Sequence, residues 1–306
     1  MKRMEEGMQS QYHLPVLLHE VINLLQIKPD GVYVDATFGG GGHSKAILER
    51  LSSKGKLIVF DQDEDAYNNR IQDERVTFVQ QNFRHLQRFL KLHKAFPDGI
   101  LADLGVSSHQ FDTAERGFST RFDADLDMRM DQRAETTAAQ IIKTFSETKL
   151  QWIFQEYGEV TNARTLAKTI VQLRKNHPIK TIAEFKALIQ PIVKGNPHKY
   201  LAQVFQALRI TVNDEMGALK ELLQQAAQVL TPGGKVAIIT FHSLEDRLVK
   251  NFFRSGTFEE NDQAFSFENP PRIFKLITKK PVTASAEELK INARSRSAKL
   301  RVAEKL

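Results

Sequence analysis

Val32-Tyr33-Val34-Asp35-Ala36-Thr37-Phe38-Gly39-Gly40-Gly41-Gly42-His43 is the stretch that decides the fold. Val32 to Val34 is β-branched and aromatic, the composition of a buried strand, and Asp35 closes it. The glycines Gly39 to Gly42 come next. His43-Ser44-Lys45-Ala46-Ile47-Leu48-Glu49-Arg50-Leu51 then places its apolar residues at helical spacing. Strand, glycine turn and helix in that order form the ligand-holding opening of an open α/β sheet. Glycine suits the turn because it lets the backbone approach a ligand closely and adopt positive φ. The run does not fit G-x-G-x-x-G and no Lys-Ser/Thr pair follows it, which argues against a P-loop.

Working outward, Lys56 to Asp61 is a second buried strand ending on an acid, about twenty residues past the glycines. Open nucleotide-binding sheets place the carboxylate that accepts ribose hydroxyls there, and it would repel a 2′-phosphate. Asp61 is preferred to Asp63 for that role because it stands at the strand end. An acid closing the first strand just ahead of a glycine turn resembles S-adenosylmethionine sites, where the loop wraps an amino-acid tail. Val76 to Val79 predicts a third strand, running out towards Phe83, an aromatic that suits either an adenine face or the core. Asp98 to Gly105 predicts a fourth, with Asp103 at its carboxyl end, and Lys235 to His242 a fifth. Asp35, Asp61 and Asp103 therefore fall on the edge where such sheets bind ligands. Arg272 to Thr283 and Ser297 to Val302 predict two late strands.

Beyond Asp103 the periodicity changes. Val106 to Asp131 is polar and irregular, and from Thr137 to about Leu208 the pattern is helical, with main helices over 150–157, 163–174, 181–192 and 201–210. A further helix over 215–230 leads back to the sheet. The expected organisation is a Rossmann-like α/β sheet interrupted by an all-helical insert: residues 1–111, then the insert over 112–212, then 213–306.

The chain has 306 residues and no cysteine, which excludes disulfides, thiolate metal sites and a cysteine nucleophile. Its nine histidines show no metal-binding helix signature, His13 and His19 read as packing or loop residues, and no metal is expected. The N-terminal stretch lacks the apolar core of a signal peptide, and no apolar run approaches the roughly 20 residues that span a bilayer. A cytoplasmic protein with no membrane partner is expected. A net charge of +6 and a pI near 9.3 suit a polyanion partner. Residues 290–305, with Lys290, Arg294, Arg296, Lys299, Arg301 and Lys305, suit phosphate contact or a solvated tail.

Nine ordered strings carry a specific resemblance: HLPVLLHE at 13–20, DATFGGGGHS at 35–44, DLGVSSHQ at 103–110, RGFS at 116–119, LDMRMD at 126–131, YGE at 157–159, FQALRI at 205–210, FHSLEDRLVK at 241–250 and RSAKLRVAEK at 296–305. The chain resembles, over nearly its whole length, the bacterial small-subunit ribosomal RNA cytosine-N4 methyltransferases, which use S-adenosyl-L-methionine. The resemblance implies a class I methyltransferase sheet and a substrate cytidine in the decoding region of small-subunit ribosomal RNA. It implies that Gly41, Gly42 and His43 form the donor loop, that Asp61 takes the ribose and Phe83 the adenine side, and that Asp103 and Gln110 complete the donor site. Asp35 joins that set from its place at the strand end. The sequence departs from the family pattern at His109 and Ala293, where the family favours proline, and over Asn196 to Tyr200.

Cytosine's exocyclic amine is a poor nucleophile because its lone pair is conjugated into the ring, so an acceptor on its N–H raises reactivity as the bond forms. Many amino-methyltransferases use an Asn/Asp/Ser-Pro-Pro-aromatic motif for this; here Asp103-Leu104-Gly105-Val106 stands in its place, and Asp103 or a neighbouring carbonyl is the expected acceptor. A base leaving its stack needs planar and cationic partners. Arg116, Phe118, Met128, Arg129, His242 and Ser243 are the candidates for substrate contact. The insert is expected to dock RNA or to serve as a homodimer surface. The competing functions are a DNA amino-methyltransferase, against which the missing motif counts, and a non-catalytic RNA-binding assembly factor with a relic donor pocket.

Overall fold

The structure, a computed structural model, describes residues 15–258 and 272–306; His13 lies outside them. In chain order its elements begin with α1 (Leu18–Leu25), β1 (Val32–Asp35), α2 (Gly42–Leu48), β2 (Lys56–Phe60), α3 (Glu64–Asn68), β3 (Val76–Val79), α4 (Leu86–Leu92), β4 (Gly99–Asp103) and α5 (Ser108–Asp112). The helices α6 (Ala138–Thr144), α7 (Glu147–Glu156), α8 (Ala163–Leu173), α9 (Ile182–Ile189) and α10 (Pro197–Asn213) follow. The chain then returns through α11 (Glu215–Val229), β5 (Lys235–Thr240), α12 (Ser243–Ser255), β6 (Phe274–Leu276), α13 (Ala286–Ile291) and β7 (Lys299–Lys305).

The strands form one sheet in the order β3-β2-β1-β4-β5-β7-β6. β1 to β5 are parallel, and β7 runs antiparallel between β5 and β6. Strands covered on both faces need apolar side chains on both sides, and the period of two distributes them. Val34, Ile58, Ile100, Val236 and Ile238 face a core shared with α4, α11 and α12. Tyr33, Leu57, Val59, Leu101, Ala237 and Ile239 face a second core with α1 and α2. This is the Rossmann-like sheet expected of the sequence. The order reverses between β1 and β4, the place where such sheets open a crevice at their carboxyl ends.

The helices between α5 and α11 bury a cluster of their own, running from Phe118 to Leu208 and centred on Phe154, Phe185 and Leu166. Helix α10 passes directly into α11 through Asp214, which takes a left-handed conformation with φ 46°.

Several boundaries differ from those expected. The fourth strand stops at Asp103: Leu104 N–H makes the last ladder bond, to the Ile239 carbonyl, and Gly105 then takes φ 96°. The late strand expected over 272–283 is reduced to Phe274–Leu276, and only an isolated bridge at Val282 resumes its pairing. The last strand starts at Lys299, after a one-turn helix over Ala293–Ser297, and extends to Lys305. Helix α10 starts at Pro197, earlier than expected, because Asn196 caps it and proline suits the first turn. Helix α6, absent from the expected set, is held by a reciprocal Thr137–Gln140 capping box.

Candidate functional site

A cleft of about 720 Å³ opens over the carboxyl ends of the parallel strands. Its walls come from the glycine loop and start of α2 (Gly39, Gly40, Gly42, His43), the end of β2 (Asp61), Phe83, and the β4–α5 turn from Asp103 to Gln110. Phe241, Glu215 and Glu245 close the far side.

The glycine loop is built for close approach. Gly41 sits at φ 75° as the residue before α2, and a Cβ there would lie 2.7 Å from the Phe38 ring. A Cβ on Gly42 would lie 2.2 Å from Pro15 Cγ, so this backbone has no room for a side chain. The turn is tied to the sheet by Asp35. Its Oδ2 accepts from Ser44 Oγ at 2.6 Å and its Oδ1 from Thr37 N–H at 3.1 Å. Asp35 is buried and lies behind the loop rather than on the cleft wall. Its carboxylate is spent on anchoring the turn.

Asp61 reaches the cleft, with Oδ2 accepting from Gly39 N–H at 2.8 Å and Oδ1 from Asp63 N–H at 2.9 Å. Burial pushes its carboxyl up to about 6, against the pull of those two N–H groups. Asp63 instead caps α3, pairs with Arg116 Nη1 at 2.8 Å and accepts from Gln110 Nε2. Gln110 also accepts from Ser107 N–H at 3.0 Å, closing a capping box at the start of α5. Both ends of the Gln110 amide are therefore engaged by the protein. Phe83 begins a one-turn helix after β3 and presents its ring at the cleft.

Asp103 ends β4. Its N–H donates to Thr37 Oγ1 at 2.6 Å, its Oδ2 lies 3.8 Å from His43 Nδ1, and its Oδ1 is buried with no hydrogen-bond partner. Burial, and the like charges of Asp35 and Glu245, raise this carboxyl well above the usual carboxylate range. His43 is itself buried, with Nε2 at 2.9 Å from the Val16 carbonyl, and burial lowers its proton affinity.

Glu245 was not among the expected site residues, although it stands inside the FHSLEDR string. It is buried, and its Oε2 accepts from Phe241 N–H at 2.9 Å. Burial alone would raise its carboxyl, but His242, the Phe241 N–H and Arg209 outweigh it and hold the group below its ordinary value. Among the described residues, Glu215, His242 and Glu245 bring ligand atoms within 4.8 Å of one another, a spacing that metal sites also use. Arg209 engages both oxygens of Glu215, at 2.8 and 2.9 Å, so a guanidinium already answers that charge.

None of the residues expected to touch the substrate lines the cleft. Arg116 is buried against Asp63 and Asp65 and donates to the Arg129 and Met130 carbonyls. Phe118 and Met128 belong to the core of the helical cluster. Arg129 forks onto Asp127 and donates to the Gln132 and Ala134 carbonyls. His242 is packed beside Glu245, and Ser243 donates to Glu159 at 3.2 Å. Of the basic tail, Arg301 and Lys299 pair with Asp246 inside the sheet region, so they are not a free phosphate-binding arm. Arg294 does border the cleft, held by Asp112 at 2.6 Å.

A glycine loop too tight for a Cβ at Gly41 and Gly42, the strand-end carboxylate of Asp61 and the partly unsatisfied Asp103 meet in one cleft. The family model described as the MraW methylase family matches residues 10–306. The chain belongs to the MraW methylase family. Over 299 residues it is 53% identical to the Ribosomal RNA small subunit methyltransferase H of Flavobacterium johnsoniae, covering 97% of this chain and 98% of that one. It is 52% identical to the protein of the same name from Bacteroides fragilis, again over 97% and 98%. The chain is thus a methyltransferase that uses S-adenosylmethionine, and the residues lining the cleft fit that donor. A Cβ on Gly39 would meet nothing nearer than 4.0 Å, so the loop is open there, and Asp61 offers a double acceptor for vicinal hydroxyls. No described helix is long and apolar enough to cross a membrane.

Proposed function

We propose that the protein methylates the exocyclic N4 amine of a cytidine in the decoding region of small-subunit ribosomal RNA. The relatives' name supplies the substrate class. The observation that carries the chemistry is Asp103, an incompletely satisfied carboxyl beside the glycine loop in the same cleft. S-adenosylmethionine supplies a methyl group already activated by its sulfonium, so the protein's task is mainly alignment. Gly42 and His43 offer backbone to the donor's amino-acid end, Asp61 accepts the ribose hydroxyls and Phe83 covers one side of the adenine. Asp103 accepts an N–H of the cytosine amine and takes its proton as the new bond forms. The far wall, with Phe241 beside the buried Glu245, is where the flipped base enters.

The insert over 112–212, which buries a core of its own, is the RNA-docking body between two sheet-forming segments, 1–111 and 213–306. A homodimer through the same helices is the competing use, and light scattering with and without small subunits separates the two.

The direct test incubates the protein with labelled S-adenosylmethionine and either small subunits or naked ribosomal RNA lacking the modification, followed by nucleoside mass analysis. N4-methylcytidine is the expected product. The D103A variant is expected to lose at least about a hundredfold in single-turnover rate, the usual scale of a lost proton acceptor. Unchanged turnover and donor binding in D103A would remove Asp103 from the reaction. Donor binding without label in any RNA would favour the assembly-factor function.

A further inference from the structure

Acids outnumber cations along the cleft lining, where Asp61, Asp103, Glu215 and Glu245 stand against Lys45 and Arg294. Negative walls suit a donor that carries a sulfonium, but they repel phosphate. A nucleotide entering base-first must therefore leave its phosphates at the rim, on cations placed there. Asp112, the last residue of α5, gathers two such cations. Its Oδ2 accepts from Arg294 Nη2 at 2.6 Å and its Oδ1 from Arg121 Nη2 at 2.8 Å. Arg121 belongs to the start of the insert, and Arg294 to the one-turn helix ahead of β7. The Phe111 ring lies within cation–π reach of both guanidiniums, its centroid 5.2 Å from Arg121 Cζ and 5.8 Å from Arg294 Cζ. Hydrogen bonds from Arg294 and then Arg121 hold the Asp112 carboxyl below its ordinary value, so it stays ionised. One carboxylate does not neutralise two guanidiniums.

What sets these two arginines apart is how little of their bonding the protein uses. Arg116 is buried and donates to two carboxylates and two carbonyls. Arg129 donates to Asp127 and to the Gln132 and Ala134 carbonyls. Arg294 instead gives Nη2 to Asp112, and its Nη1 has no hydrogen-bond partner among the described residues. Arg121 gives Nε to Ser119 and Nη2 to Asp112, and its side chain is 56% exposed. A guanidinium carries five N–H donors in a planar fork that matches the oxygens of a phosphate. We propose that Arg121 and Arg294, held together by Asp112 at the cleft mouth, form a clamp for the backbone phosphates beside the target cytidine of the RNA strand. The clamp rests on the cytidine methylation proposed above and adds the place where the strand crosses the protein. Asp112 ends the helix that follows the Asp103 turn, so phosphates held there leave their base at the cleft that contains Asp103.

The test measures binding of the full chain to small subunits lacking the modification, at fixed magnesium, with monovalent salt varied between about 50 and 200 mM. On a single strand each phosphate contact contributes about 0.7 to the slope of log affinity against log salt. R121A and R294A are each expected to flatten the slope by about that amount, and R121A/R294A by about 1.4. The double variant is also expected to bind subunits about tenfold more weakly, the scale of lost charge-assisted hydrogen bonds. Its KM for subunits rises accordingly, whereas its single-turnover rate at saturating subunits and its donor affinity by equilibrium dialysis stay at wild-type values. Where thermal melts show the alanine pair unfolded, R121K/R294K carries the comparison. Lysine keeps the charge but loses the fork, so the slope is expected to persist while affinity falls.

D112N separates a clamp from a structural brace. Without the counter-charge both arginines remain for phosphate, so subunit affinity is expected to hold or rise; a brace requires D112N to lose affinity as the arginine variants do. That parallel loss overturns the proposal, as does an unchanged salt slope in R121A/R294A or an unchanged affinity in R121K/R294K. Loss of donor affinity in R294A with the slope intact also overturns it, and assigns Arg294 to the donor's carboxylate. Failure of the wild-type protein to form N4-methylcytidine is a different result, because it rejects the underlying reaction while the salt slope, a measure of binding alone, still tests the clamp.

Discussion

Asp61 feels two opposed influences, burial raising its carboxyl to about 6 and the Gly39 and Asp63 N–H groups lowering it. Because the folded value exceeds the ordinary one, the folded donor-free protein holds more protons than the unfolded chain between about pH 4 and 6, and its stability falls as pH rises through that window. Donor binding runs the other way, since ribose hydroxyls require the ionised acceptor. Affinity for S-adenosylmethionine is expected to be about tenfold weaker at pH 5 than at pH 7, the ratio one group titrating near 6 produces. Calorimetric titrations at pH 5, 6 and 7 check this, and a flat affinity would take Asp61 out of ribose binding. At this scale the sequence was only partly legible. Strand-end acids could be located from periodicity, but Asp35, Asp61 and Asp103 look alike in the chain. Only their neighbours separate the anchor tied to Ser44 from the acceptor open to the cleft and the unsatisfied acid beside His43.

At the scale of elements, the β1–α2 turn and the Thr231–Gly234 turn make a matched pair. Gly233 has φ 77° and nothing within 4 Å of a would-be Cβ, whereas a Cβ on Gly42 would overlap Pro15 at 2.2 Å. G233A is expected to cost about 1 kcal/mol, the scale of a left-handed alanine, and to leave donor affinity unchanged. G42A must displace Pro15 or the loop, and is expected to cost about 1–3 kcal/mol and to weaken donor binding on the order of tenfold. Chemical denaturation together with donor titration separates the two effects, and equal donor affinities in both variants would show that the loop does not approach the donor. Helix boundaries were legible wherever capping chemistry was local. Thr137–Gln140 and Asn196-Pro197 mark the starts of α6 and α10 in the sequence itself, because both caps are made by residues within one turn. The end of β4 was not legible, because apolar Leu104 still makes a ladder bond to the Ile239 carbonyl of β5 and the chain turns only at Gly105, with φ 96°.

At the scale of the molecule, the helical cluster and the two sheet cores are separate sets of side chains. Phe185 is fully buried in the former, against Phe205, and far along the chain from every strand-end acid. F185A is expected to cost about 3–5 kcal/mol in unfolding, the usual penalty for a large cavity, while donor affinity stays within about twofold. It is expected to weaken methylation of small subunits through docking. Thermal melts, donor titration and subunit turnover measured on one preparation check it; a parallel loss of donor binding would show that the insert and the donor cleft form one cooperative unit.

What the sequence by itself determined is everything written in short-range periodicity: an α/β sheet with acids at its strand ends, a glycine turn, a helical insert, and motif strings specific to one methylase family. Which polar side chains remain available to a ligand was decided by tertiary structure alone. Arg116 reads as a phosphate contact until Asp63, 53 residues away, is folded against it. Glu245 reads as a helix-opening acid until Arg209 and Glu215 gather beside it. His43 reads as a donor-loop residue until its ring is buried with Nε2 at 2.9 Å from the Val16 carbonyl and Nδ1 at 3.8 Å from Asp103 Oδ2. A buried charge must be answered by whatever the fold brings near, and those partners come from strands and helices whose order in space the local sequence does not encode.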